Sequence, residues 1–108
     1  MNDERFPWLL LIPRRRDKEE VLDLTDADQQ QLWDEIRRVA RTLESVFAPD
    51  KLNIAALGNQ VRQLHVHIIA RFQDDAAWPQ PVWGVGQSEP WPDPAAVIAR
   101  LRLALNSA

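Results

Sequence analysis

The hydrophobic pattern of this chain changes period several times, and each change marks an element. Phe6 to Ile12 is an unbroken apolar run ended by Pro13 and three arginines, and it reads as a buried strand. Leu32, Ile36, Val39, Leu43, Val46 and Phe47 recur at helical spacing and share one face. Thr25 precedes them as an N-cap, with Asp28 at the third helical position as a weak capping-box partner. Ala48-Pro49-Asp50 stops this helix. Leu52 to Leu57 reads as a second strand. A tight connection from Gly58 to Arg62 leads into a third strand, Gln63 to Arg71. So short a link makes the pair an antiparallel hairpin. The chain then turns irregular, with Trp78, Pro79, Pro81, Trp83, Gly84 and Gly86. Asp93 with Pro94 at the first helical position opens a last helix, whose Val97, Leu101 and Leu105 share a face.

The pattern predicts an α+β fold in which an antiparallel sheet is backed by one long helix and a C-terminal helix. Trp8, Trp33 and Phe72 read as core. Trp78 and Trp83 read as packing the C-terminal tail onto the sheet, with stacking on a base as the alternative. A three-stranded sheet is thin for a stable core. The chain is therefore expected to pair with a second copy, or to extend its sheet with segments the pattern does not reveal.

The third strand carries the chemistry. It holds both histidines of the chain, two residues apart. Side chains alternate across a strand, so Leu64, Val66, Ile68 and Ala70 form an apolar face. Gln63, His65, His67, Ile69 and Arg71 share the other face. Imidazole titrates near neutrality and can act as nucleophile, base or acid at cellular pH. The bland alternative is a pair of inert histidines on an exposed edge.

Composition narrows the options. The chain has 108 residues, which suits one domain over residues 1–108 with residues 73–108 as a Trp- and Pro-rich tail and terminal helix. Apolar residues make up 45% and charged residues 27%, an ordinary balance for a soluble domain. No apolar run approaches the ~20 residues needed to cross a bilayer. No basic segment of a signal peptide precedes Trp8. A cytoplasmic location without a membrane partner is expected. The absence of cysteine excludes disulfides and cysteine-based zinc sites. A net charge of -3 argues against a general nucleic-acid partner. Arg14, Arg15 and Arg16 read as a solvated loop, with a local anion site as the alternative.

The run Gln63-Leu64-His65-Val66-His67-Ile68-Ile69 resembles the signature of the histidine triad (HIT) family, His-φ-His-φ-His-φ-φ, where φ is apolar. Gln63 replaces the first histidine, His65 matches the middle one and His67 the last. The order of elements is similar too: Asn2, Pro7, a strand ending at Ile12, Pro13-Arg14, then Asp23-Leu24 leading into the long helix. The resemblance spans about residues 2 to 72. Ala77-Trp78-Pro79 and Pro81-Val82-Trp83-Gly84 are similar to a compact bacterial branch with Gln at the first triad position. The chain thus resembles diadenosine polyphosphate hydrolase-like members of the family.

The resemblance implies a nucleotidyl hydrolase or transferase that needs no cofactor or metal. His65 would attack the α-phosphate of a dinucleoside polyphosphate or nucleoside phosphoramidate, giving a nucleotidyl-histidine that water hydrolyses. His67 would orient the substrate, and Asn2 would contact the ribose. Gly58, Asn59, Gln60 and Arg62 would occupy the phosphate-binding segment. A homodimer is implied as well. The chain departs from the family at three places. Gln63 would stand in for the first histidine as a catalytic residue that positions phosphate or leaving group, but it cannot transfer a proton at neutral pH, and general acid catalysis is usually worth ~100- to 10,000-fold. Gln60 stands where relatives place a hydroxyl residue. Relatives also carry a strand or hairpin ahead of the first matching strand, which helps to wall the base pocket.

Two other readings compete. One is a nucleotide-binding scaffold of the same fold with little turnover. The other is a metal site on His65 and His67, with Asp74 or Asp75 supplying a third ligand.

Overall fold

In the computed structural model, residues 1–107 are described, so the last residue of the expected 1–108 domain lies outside them. The elements in chain order are β1 (Trp8–Leu11), a short 3-10 turn (Val21–Asp23), α1 (Asp26–Phe47), β2 (Lys51–Ala55), β3 (Val66–Arg71) and α2 (Pro94–Ser107). The three strands form one antiparallel sheet in the order β1-β3-β2. The expected α+β architecture is therefore present, and β2 and β3 pair antiparallel, but β2 ends at Ala55 and the link to β3 runs over residues 56–65, longer than the tight connection expected from Gly58 to Arg62.

The helix α1 starts where its chemistry requires. The Thr25 hydroxyl accepts from the Asp28 backbone N–H, and Asp26 and Asp28 place negative charge in the first turn. At the other end Ala48 adopts a left-handed conformation (φ 48°) and closes the last turn onto the Glu44 carbonyl. Replacing Thr25 with alanine is expected to destabilise the protein by about 1 kcal/mol, read from urea unfolding. An unchanged midpoint would show that tertiary packing alone holds this helix end.

Leu32, Ile36, Ala40 and Leu43 of α1 pack on Leu64, Val66 and Ile68, with Leu9, Leu11, Leu52 and Leu101 around them. Trp33 corrects the expected core: it is 57% exposed. It lies about 100° around the helix from Leu32, off the buried stripe. Helix α2 rests on α1, and Arg38 and Arg100 donate across the interface to the Leu105 and Val46 carbonyls.

The strand β3 departs from expectation at its start. It begins at Val66, not Gln63. Its partners end at Leu11, opposite Val66, and at Ala55, opposite His67. Residues 63–65 thus have no ladder to join, and the Leu64 N–H instead donates to the Lys18 carbonyl. The second face of β3, which carries His67, Ile69 and Arg71, is covered as well as the first. All six residues of the strand are buried. Phe6, Trp8, Ile69, Ala77 and Val82 form a second core there, with Trp83 and Val85 packed against it. The Trp- and Pro-rich tail therefore folds back over the sheet face opposite α1.

Candidate active site

Two sets of interactions pin the tail. The first centres on Arg71, which is buried at 2% exposure and is structural, not part of an open cationic face. Its guanidinium donates to both Asp75 carboxylate oxygens, to Asn53 Oδ1 and to the Gln80 carbonyl. It lies over the Phe6 and Trp78 rings. Burial would raise the Asp75 carboxyl, but the Arg71 guanidinium and the N–H groups of Phe72, Ala77 and Trp78 outweigh it and bring the carboxyl down to about 2. The second is a clasp between the N-terminal segment and the tail. Arg5 bonds both Asp3 oxygens and the Val85 carbonyl, and the Glu4 N–H donates to the Glu89 carbonyl.

Under this tail lie the histidines. His67 is central in the sheet, paired with Leu10 of β1 and Ala55 of β2. It is 7% exposed. Its Nδ1 accepts a hydrogen bond from Trp8 Nε1 at 3.0 Å. The Trp83 ring stands perpendicular to it, with centroids 5.0 Å apart. Burial, then the neighbouring His65, push the His67 imidazole below its ordinary pKa. Both effects favour the neutral ring, and the Trp8 N–H at Nδ1 places its proton on Nε2.

His65 sits half-buried just before the strand, its ring 5.0 Å from that of His67. Its Nδ1 lies 2.7 Å from the Gln63 carbonyl oxygen. A carbonyl can only accept, so in the neutral ring the proton is on Nδ1 and the lone pair on Nε2. The site thus pairs a nucleophilic nitrogen with a neighbouring N–H donor. That combination suits attack on a phosphorus atom whose oxygens need a hydrogen bond.

The remaining expected site residues are placed less uniformly. The Gln63 side chain turns to the Arg15 carbonyl at 3.3 Å, and its contact with His65 is through its main chain. Gly58 adopts a left-handed conformation (φ 70°) in the exposed turn with Asn59 and Gln60. Arg62 is exposed and lies 3.8 Å from Glu19. Asn2 joins a different region: its carboxamide oxygen accepts from the Trp91 N–H. It lines an apolar cavity of about 260 Å³ between β1, α1 and α2, with Phe47, Trp91 and Ile98, and neither histidine lines that cavity.

The metal reading loses its third ligand. Both Asp75 oxygens are committed to Arg71 and to backbone N–H groups. Among the described residues no cluster of three His, Cys, Asp or Glu side chains stands close enough to hold a metal ion. Trp8 is the residue that sequence reasoning undervalued. Its length and apolar neighbours mark it as core, and nothing in the linear pattern aims its indole N–H at a histidine in another strand.

The model of the HIT domain family matches residues 1–74. The chain belongs to that family. It is similar to the solved structure of a histidine triad protein from Sinorhizobium meliloti 1021, at 50% identity and a TM-score of 0.90, over 96% of this chain and 78% of that one. A histidine triad protein from Bradyrhizobium japonicum is 52% identical, with a TM-score of 0.89 over 99% of this chain and 78% of that one. One from Marinobacter aquaeolei VT8 is 41% identical, with a TM-score of 0.93 over 99% of this chain and 80% of that one. No curated protein matches the chain. Among the described residues no helix is long and apolar enough to cross a membrane.

Proposed function

We propose that this HIT-family protein is a nucleotidyl hydrolase or transferase in which His65 is the nucleophile. The observation that carries the reading is the 2.7 Å contact between His65 Nδ1 and the Gln63 carbonyl. In the neutral ring it puts the lone pair on Nε2, and it stabilises the positive charge that develops on the ring as Nε2 attacks.

In the first step a bond forms between His65 Nε2 and the α-phosphorus while the bond from phosphorus to the leaving group breaks. The leaving group departs with the electron pair. His67 Nε2–H donates to a phosphate oxygen as charge builds there. In the second step water attacks the phosphorus, the phosphorus–nitrogen bond breaks with its electron pair returning to His65 Nε2, and the proton that the attacking water sheds passes to solvent, releasing a nucleoside monophosphate and free His65. Leu10, 38% exposed on the same sheet face, offers apolar surface beside His67 for the nucleoside.

Gln63 shapes the substrate preference. It cannot deliver a proton to the leaving group. Polyphosphate leaves readily without one, so dinucleoside polyphosphates suit the site better than phosphoramidates with basic amines. Brief incubation with diadenosine polyphosphate, acid-free quenching and mass spectrometry of the peptides tests the reading. An adenylyl adduct on His65 is expected. Tight AMP binding with neither adduct nor turnover would favour the binding scaffold instead, a reading to which the displaced Gln63 side chain lends support.

A further inference from the structure

We propose that Trp8 is a positioning residue, which locks the His67 imidazole in the Nε2–H tautomer so that His67 meets a substrate phosphate as a hydrogen-bond donor. The donor role rests on the function proposed above; the tautomer does not.

An indole N–H donates and never accepts. Trp8 Nε1 lies 3.0 Å from His67 Nδ1, and the bond is buried. Nδ1 must therefore present its lone pair, which sends the proton to Nε2. The two histidines differ because their Nδ1 atoms face partners of opposite polarity. His65 Nδ1 faces a carbonyl, so its Nε2 is bare. His67 Nδ1 faces an N–H, so its Nε2 is protonated. Two imidazoles two residues apart thus acquire complementary roles, nucleophile and donor.

Trp8 also opposes charging of His67. An imidazolium carries N–H on both nitrogens, and its Nδ1–H would confront the Trp8 N–H. Burial and His65 act in the same direction. Around His67 stand Trp8 and Leu10 of β1, Ala55 of β2, Trp83 of the tail and His65 beside it. Of these His65 alone titrates, so no carboxylate among them offsets the effect. The rings hold the geometry: Trp8 and Trp83 meet edge-on at 88°, and both contact His67.

Long-range nitrogen–proton correlation spectra of the histidine rings test this in 15N-labelled protein. Wild type is expected to show His67 protonated at Nε2 and bare at Nδ1 above neutral pH. In Trp8→Phe, which keeps a ring but loses the donor, the Nδ1–H tautomer is expected to appear and the His67 titration midpoint to rise. Trp83→Phe serves as the packing control and is expected to leave the tautomer as in wild type. A wild-type His67 carrying its proton on Nδ1 would overturn the proposal without any variant, even if Trp8→Phe fails to fold. So would equal shifts in the two variants. With diadenosine polyphosphate, Trp8→Phe is expected to lower kcat/KM by about 10- to 100-fold, the worth of one hydrogen bond to a charged group. If wild type turns over no nucleotide but shows the expected tautomer, the functional reading fails and the role of Trp8 in positioning His67 stands.

Discussion

His65→Ala is expected to lower turnover of diadenosine polyphosphate by at least roughly a thousandfold, equivalent to about 4 kcal/mol of transition-state stabilisation. The reason is chemical. In the proposed mechanism His65 Nε2 forms the bond to phosphorus, and no neighbouring group can replace it. His67 holds a proton on its corresponding nitrogen, and Gln63 carries no nucleophilic nitrogen. Nucleotide affinity is expected to change far less, because binding does not need the attacking lone pair. Stability is expected to fall by no more than about 1 kcal/mol, the worth of the hydrogen bond to Gln63. Steady-state kinetics, isothermal titration with AMP and urea unfolding separate the three quantities. Turnover within tenfold of wild type would place the nucleophile elsewhere.

Asp75→Ala is expected to give the largest loss of stability, about 3–5 kcal/mol, because it leaves the Arg71 guanidinium buried and uncompensated. Both side chains are 2% exposed, so water cannot replace the lost partner. The Phe72, Ala77 and Trp78 N–H groups lose their acceptor as well. A domain of this size has about 5–15 kcal/mol in total, so the unfolding midpoint should drop sharply. Pairing the change with Arg71→Met removes the orphaned charge and is expected to recover part of the loss. A loss below about 1 kcal/mol for Asp75→Ala would mean that the tail, not the ion pair, holds this corner. The pH dependence follows from the same carboxylate. Its pKa is depressed, so its contribution is present above the ordinary Asp range and is lost as pH falls toward 2. The consequence reaches the site, since the loop that Asp75 anchors carries Trp83 onto His67.

Some features were legible because they are local. The Thr25 cap, the buried stripe of α1 and the Asp93–Pro94 start of α2 depend on neighbours within a few residues. The antiparallel pairing of β2 with β3 follows from two strand-like runs adjacent in the sequence, although the link is longer than the pattern suggests because both strands are shorter. The histidine pair was legible as chemistry, and its motif as kinship, because both are written in consecutive residues. The extent of β3 was not. Alternation marks which residues share a face, but a strand lasts only as long as its neighbours offer hydrogen bonds, and β1 and β2 stop at Leu11 and Ala55. Trp33 misled for a related reason: size favours burial, yet its angular position on α1 keeps it in water.

By itself, then, the order of residues determined the elements, the apolar face that α1 covers and the two imidazoles on which chemistry rests. Tertiary structure alone decided what each imidazole is. That choice depends on the polarity of one atom beside each Nδ1: the Gln63 carbonyl for His65 and, from 59 residues away in the chain, the Trp8 indole N–H for His67. It also made Arg71, which shares the histidine face of the strand, a buried anchor, by folding the tail over the sheet and closing Asp75 upon it. A sequence shows which groups are present. Protonation state and burial are properties of what faces them, and that is settled when distant segments meet.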